Sequence, residues 1–233
     1  MKIVAFIFAR GNSKGIKNKN LLRFKKTTLL GHAINQAKRI NNVQQVFVSS
    51  DSKKILKYAK RYKAKIPFLR PKKLSGDSSP EIDAWRHAIR FLNQKLNLKP
   101  TYIISVPTTC PFRKISDLNL CLKTALKKNL DIVFTAVKSS RNPYFNMISK
   151  KKKKIDIISK HFDKKNKKIS SRRQDAPKCF DLTTACYVFK PDYVMQSNDL
   201  FSGKVDFVEI PKERGIDIDD DFDYKITKLL SRK

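Results

Sequence analysis

"KIVAFIFARGNSKGIKNKN", residues 2–20, holds the choice of fold and the first hint of chemistry. Residues 3–9 are apolar without a break, a run too short for a buried helix and without a polar face. Such a run reads as a strand covered on both sides. It stops at Ala9, and the following loop carries Arg10, Lys14, Lys17 and Lys19, two glycines and no acid. Glycines permit tight backbone turns, so successive N–H groups can converge on one anion. Arg10 offers a two-pronged donor for phosphate oxygens, and Lys14 and Lys19 add point charges. The loop matches neither G-x-x-x-x-G-K-[ST] nor G-x-G-x-x-G. A polyphosphate cradle and an ordinary basic loop both stay open on these residues alone.

Outward from this strand, β-rich runs alternate with helix-like ones. Strands are expected at 2–9, 45–50, 101–106, 131–137, 185–189 and 205–210. Helices are expected at 29–40, 52–63, 80–96, 115–128 and 221–230. The alternation predicts an α/β fold, a mostly parallel sheet with helices on both faces and a ligand crevice along one strand edge. The rhythm breaks over 138–181, where lysine clusters interrupt short alternating runs. This segment reads as a β-rich excursion from a single domain spanning 1–233. Within it, "YFNMIS" and "IDIIS" suggest a hairpin, with the lysine run at 150–154 as its solvated turn.

The chain has 233 residues, 40% of them hydrophobic, which is a globular composition. Its apolar runs fall far short of the roughly 20 residues of a membrane span, and the N-terminus shows no signal-peptide pattern. A cytoplasmic protein without a membrane partner is the expectation. Four cysteines lack C-x-x-C spacing and three histidines are scattered, so no zinc cluster can be read. The net charge of +32 raises a polyanion-binding protein as one reading. Against it, lysine far outnumbers arginine and is spread along the whole chain, and no aromatics interleave with the basic residues. No nucleic-acid partner is expected.

The acidic stretch "GIDIDDDFD", residues 215–223, stands out in so basic a chain. Asp217 and Asp219 alternate with Ile216 and Ile218. In extended backbone this puts both carboxylates on one side. Two such hard oxygen ligands suit Mg²⁺ beside phosphates and water. Asp220 and Asp221 are explained equally well as the start of a helix. A carboxylate pair and a basic glycine loop in one α/β domain suggest nucleotidyl or phosphoryl transfer.

Several spaced stretches now carry a resemblance: "ARGNSKGIKNKN" (9–20), "VSSD" (48–51), "FLRP" (68–71), "GDSSP" (76–80), "PTTCPFR" (107–113), "RRQDAPKCF" (172–180) and "DIDDDFD" (217–223). Together they resemble the CMP-N-acetylneuraminate synthetases, the nonulosonic-acid cytidylyltransferases, over nearly the whole chain. The resemblance implies a Rossmann-like nucleotidyltransferase fold, a homodimer, and transfer of CMP from CTP to a nonulosonic acid with Mg²⁺ as cofactor. It makes 138–181 the dimerisation region, which also helps complete the partner's active site. By position, the nucleotide falls to Arg10, Gly11, Asn12, Ser13, Lys14, Lys19, Asn20, Arg70 and Asp77. Of these, Arg10 and Lys19 lie on the phosphates. The resemblance assigns the metal to Asp217 and Asp219, which with Arg10 and Lys19 make the catalytic set. It places Thr108, Thr109, Arg173, Gln174 and Tyr187 near the sugar. Read without it, Thr108 and Thr109 can simply shape a turn between prolines, and Tyr187 can be core.

The departures concern the sugar. The N-acetylneuraminate enzymes commonly carry Gln where Val106 stands, Lys where Phe145 stands, and R-x-N-G-A where this chain has "DLTTA" (181–185). "RNPYFNM" and "APKCFDL" resemble instead the branch acting on legionaminic acid and related diamino sugars. N-acetylneuraminate, pseudaminate and 3-deoxy-manno-octulosonate remain alternative acceptors. Exchanges in a pocket that hydrogen-bonds its substrate change specificity strongly.

Overall fold

In the computed structural model the described residues are 1–13, 15–76, 79–151, 154–159 and 172–231. Strand β1 (Ile3–Phe8) runs through the middle of the sheet. Its pleat sends Ile3, Ala5 and Ile7 to one face and Val4 and Phe6 to the other, and all five are fully buried. That two-sided burial is why the run shows no polar alternation. β1 lies between β4 (Val43–Ser49) and β5 (Tyr102–Ser105), parallel to both. Among the described residues the sheet has six strands. Beyond β5 come β9 (Phe180–Phe189), then β6 (Ile132–Lys138), then β10 (Val205–Glu209) at the edge. β9 is antiparallel to both neighbours, and β6 and β10 are parallel. The expected α/β fold with a mostly parallel sheet is what the chain adopts.

Helices α1 (Leu29–Ala37), α2 (Lys53–Arg61) and α4 (Ile115–Lys128) cover the face of Ile3, Ala5 and Ile7. Helices α3 (Glu81–Lys95) and α5 (Pro191–Gln196) cover the face of Val4 and Phe6. Local chemistry sets the helix starts. Thr28 and Ser52 accept backbone N–H bonds from Gly31 and Ile55 at the starts of α1 and α2. On the α3 face, Trp85 stacks on Phe189 with ring centroids 4.5 Å apart and leans on Tyr187. Truncating a buried Trp of this kind costs about 3–5 kcal/mol.

Two expectations need adjustment, and two elements were unread. The strand read at 185–189 is only the end of β9, whose first half pairs Phe180 with Lys138 and Asp181 with Val137. Asp181 and Leu182 are exposed there, so this half lacks a continuous apolar run, and the excursion from the sheet is correspondingly shorter. Next, the hairpin strands are β7 (Ile148–Lys151) and β8 (Lys154–Ile157), while residues 143–146 form a turn. Asn142 sets that turn, since its side-chain oxygen accepts the Tyr144 N–H at 2.8 Å. Finally, α5 was not expected; Pro191 starts it at a position where proline is favoured. The short pair β2 (Arg23–Phe24) and β3 (Thr27–Thr28) was likewise unread. The last helix, α6 (Asp221–Leu230), has the expected bounds. Asp220 caps it by accepting the N–H groups of Phe222 and Asp223.

β1, β4 and β5 end side by side, with Phe8 opposite Ser49 and Phe6 opposite Ser105. The loops that follow them therefore converge at one edge of the sheet.

Candidate active site

A cleft of about 240 Å³ opens where these loops meet. Its first wall is the loop after β1, with Arg10, Ser13, Lys19 and Asn20 lining the space. Asn20 is buried and fastens this wall to the next. Its amide donates to the Arg10 carbonyl at 2.8 Å, and its oxygen accepts from the Thr108 hydroxyl. Gly11 donates its N–H to Asp51 at 2.8 Å. A Cβ at Gly11 would lie 2.9 Å from that of Ser52, so glycine is what allows this approach.

The second wall follows β4. The Arg70 N–H donates to the Ser50 carbonyl, its Nε donates to Ser75 at 2.9 Å, and its guanidinium lies 4.0 Å from Asp51. Arg70 is buried, and that burial pulls its pKa down while Asp51 acts the other way. Asp51 thus stands between the first loop and Arg70, touching both.

The floor is the loop after β5. Arg113, fully buried, donates from one nitrogen to the carbonyls of Pro107 at 2.5 Å and Cys110 at 2.9 Å. This holds Thr108 and Thr109 at the bottom of the cleft. Burial lowers the Arg113 pKa, and the nearby Asp217 and Asp117 charges oppose it. Burial pushes the Cys110 thiol up to about 12, so it stays protonated at neutral pH and serves as floor, not nucleophile.

The acidic segment closes the site from the far end of the chain. Ile218 donates its N–H to the Thr109 carbonyl at 2.9 Å and buries its side chain with Ile16 and Phe24. Asp217 accepts from Thr184 at 2.8 Å through one oxygen, and its other oxygen is buried without a hydrogen-bond partner. Asp219 is exposed. Lys19 reaches across to this segment, donating to the Ile218 carbonyl at 2.7 Å and meeting the Asp219 carboxylate at 3.4 Å. Gly15 lies directly against it: a Cβ there would sit 2.0 Å from the Asp219 carbonyl oxygen. The basic loop and the acidic segment, some 200 residues apart, form one structure.

A sequence model of the cytidylyltransferases matches residues 4–228. The chain belongs to the cytidylyltransferase family. Two relatives show the likeness along the full length. "Post-translational flagellin modification protein B" of Campylobacter coli is 29% identical over 100% of this cytidylyltransferase and 96% of its own length. "CMP-N,N'-diacetyllegionaminic acid synthase" of Campylobacter jejuni is 29% identical over 98% and 94%. Among solved structures, CMP:2-keto-3-deoxy-manno-octonic acid synthetase complexed with CTP superimposes with a TM-score of 0.69 over 100% of this chain and 99% of that one. At 12% identity that match speaks for the fold.

Of the residues singled out by sequence, this cytidylyltransferase brings Arg10, Ser13, Lys19, Asn20, Arg70, Thr108 and Thr109 to one cleft, with Asp217 joined to it through Thr184. Gly11 lies at its edge, fixed to Asp51, and Asn12 is exposed beside it. Lys14 and Asp77 lie outside the described residues. Tyr187 is buried against Trp85, and burial raises its pKa; it does not line the cleft. Gln174 lines a separate groove with Asn142 and Cys179. The backbone of Arg173 begins the same short helical turn.

Asp51, Thr184 and Glu81, at or beside the cleft, were given no role in the sequence reading. Asp51 was quoted in "VSSD" without a role. Thr184 stood within the departing stretch "DLTTA" without a role, since its meeting with Asp217 depends on the pairing of β9. Glu81 opens α3, where an acid is expected simply as a partner of the helix dipole. It lines the cleft and accepts the Trp85 indole N–H at 3.2 Å. Glu81 is exposed at the cleft; neighbouring protein still displaces part of its water and raises its carboxyl pKa, with the Trp85 hydrogen bond and Arg70 acting against that rise.

Proposed function

We propose that this cytidylyltransferase transfers CMP from CTP to a nonulosonic acid, releasing pyrophosphate, and that its sugar is legionaminic acid or a related diamino sugar. The observation that carries the reading is the junction of Lys19 with the 217–219 segment. A basic loop held 2.7 Å from the backbone of an acid pair is suited to a nucleoside triphosphate and a divalent cation. The full-length likeness to a CMP-N,N'-diacetyllegionaminic acid synthase supports the acceptor class.

In this reading Arg10 and Lys19, with Lys14, hold the triphosphate, and Arg70 lies by the nucleoside. The anomeric hydroxyl of the sugar attacks the α-phosphorus and gives up its proton to water. The bond from that phosphorus to the bridging oxygen breaks, and pyrophosphate leaves with its charge met by Arg10 and Lys19. The protein acts by positioning and by fixed charge. Asp217 and Asp219 suit Mg²⁺: both offer hard oxygen donors, and one Asp217 oxygen is buried with no hydrogen bond to satisfy it. When bound, Mg²⁺ supplies charge neutralisation for the phosphates. Thr184 holds the other Asp217 oxygen, fixing the carboxylate's orientation.

Thr108 and Thr109 make the floor for the sugar. Val106 is packed in the core, offering the acceptor no polar group where related enzymes commonly carry Gln. We further propose a homodimer. Ile148, Ile155 and Leu182 are large apolar side chains left exposed on the β7–β8 hairpin and the start of β9. Arg173 and Gln174 would then serve the cleft of the second subunit, which accords with Gln174 lying off the cleft of its own chain. The main strands share one core sheet, in keeping with a single domain with 138–181 as its dimerising part. No helix among the described residues is long and apolar enough to cross a membrane; the reading puts the enzyme in the cytoplasm, with its CTP.

The acceptor is tested by pyrophosphate release with CTP and N,N'-diacetyllegionaminate, pseudaminate, N-acetylneuraminate and 3-deoxy-manno-octulosonate. The diamino sugar of the legionaminate type should give the highest kcat/KM. A clear preference for any other acid moves the enzyme to that branch.

A further inference from the structure

We infer that Glu81 reads the base: its carboxylate accepts a hydrogen bond from the exocyclic amine of cytosine, and so admits CTP over UTP. The inference rests on the nucleotide reading above.

Among the described residues, Glu81 is the one carboxylate lining the cleft. The other polar liners are cations or hydroxyl and amide groups. Both substrates of the proposed reaction are anions, so a lone carboxylate opposes binding unless it meets a hydrogen-bond donor. Cytosine presents an N–H₂ at position 4, and uracil presents a carbonyl oxygen there. A carboxylate accepts from the first and repels the second, which is the basis on which acidic side chains select cytosine in nucleic acids.

The surroundings of Glu81 suit a flat heterocycle. Phe8, Leu74, Pro80 and Ala84 line the same cleft and offer apolar surface. Thr108, Thr109 and Thr184 also line the cleft, and their hydroxyls suit a polyhydroxy acid. The carboxylate is also held in place. Trp85, 1% exposed and stacked on Phe189, donates its indole N–H to one oxygen. No hydrogen bond among the described residues engages the other oxygen. An orienting group that is itself locked in the core gives the acceptor a fixed direction, as discrimination between C and U requires.

The test measures kcat/KM for CTP and UTP at saturating acceptor and Mg²⁺, together with calorimetric Kd values for both nucleotides, which need no acceptor. Wild type, Glu81→Gln and Glu81→Asp are compared in the full chain. In Glu81→Gln the CTP-to-UTP ratio should fall at least tenfold, because the amide can donate to the uracil oxygen. Glu81→Asp keeps an acceptor but withdraws it by one methylene. It should weaken CTP binding and leave UTP binding unchanged, which keeps the test decisive should the Gln variant fold poorly. A ratio within twofold of wild type in both variants overturns the inference alone. So does a change confined to the KM of the sugar, which would assign Glu81 to the acceptor. Failure of the wild type to bind any cytidine nucleotide overturns this inference together with the reading beneath it.

Discussion

The Lys19 ammonium donates to the carbonyl of Ile218 at 2.7 Å, joining the loop after the first strand to the turn before the last helix. One side chain thus does two things. It fixes where Asp217 and Asp219 stand relative to the loop, and it brings a positive charge to the proposed phosphate site. Lys19→Met should lower kcat/KM by about 100- to 1000-fold, the scale of losing one fixed donor to developing charge. Its melting temperature should fall too, because the Ile218 carbonyl loses a charged donor held 2.7 Å away by a side chain only 13% exposed, while the contact with the exposed Asp219 adds little. Steady-state kinetics beside a thermal melt separate the two effects.

Asp217 should be less replaceable still. Asp217→Asn keeps the size and an acceptor for Thr184 but removes the charge a divalent cation needs. We expect activity to drop to background while the melting curve stays cooperative. Titrating Mg²⁺ by calorimetry in the presence of CTP should show weakened binding in the variant. Unchanged turnover would take Asp217 out of the metal role.

Gly15→Ala probes the same junction from the backbone side. The added Cβ would meet the Asp219 carbonyl oxygen at 2.0 Å, so the loop must move away from the acidic segment. A displacement near 1 Å in a positioned site costs about 100-fold in rate. The loss should appear in kcat/KM for CTP, with circular dichroism unchanged.

Asp51 should act through positioning. It accepts the Gly11 N–H and stands 4.0 Å from the Arg70 guanidinium. Asp51→Ala leaves a loop N–H without its partner and Arg70 without its neighbour. The KM for CTP should rise about tenfold or more, with a smaller change in kcat, because uniform binding is lost before transition-state contacts are.

The stability should depend on pH through His32. Its Nε2 lies 2.9 Å from the Pro111 carbonyl and its ring packs edge-on to Phe24, so the neutral ring donating to the carbonyl fits the site. Burial, with the Arg113 charge adding to it, lowers its pKa from 6.5 to about 4. The unfolded chain therefore takes up a proton between about pH 6.5 and 4 that the folded chain refuses. Stability is full above 6.5 and falls as the pH drops through that window, by at most about 3 kcal/mol. The urea midpoint at pH 5 should be lower than at pH 7, and this difference should shrink in His32→Gln.

Legibility in the sequence followed locality. β1 was readable because burial on both faces leaves Ile3 to Phe8 uniformly apolar. α6 was readable because Asp220 caps it directly. The first half of β9 was not, because Asp181 and Leu182 face solvent and only pairing with Val137 and Lys138 makes the segment a strand. In the cleft, Lys19 and Asp217 could be suspected from residue type and spacing. That Lys19 meets the acidic segment at Ile218 could not, since that contact spans 199 residues. The roles of Thr184 and Glu81 were hidden for the same reason: each matters through what the fold puts opposite it. Asp220 shows the converse. It lies in the acidic run yet serves to cap a helix, as local sequence logic allowed.

The central claim, cytidylyl transfer to a nonulosonic acid, is tested most directly by ³¹P NMR of the protein with CTP, Mg²⁺ and N,N'-diacetyllegionaminate. The account predicts loss of the three triphosphate signals in step with the appearance of one phosphodiester and one pyrophosphate signal, only when the acid is present and not with Asp217→Asn. CTP left intact with every nonulosonic acid tried, or consumed equally without any acid, would contradict it.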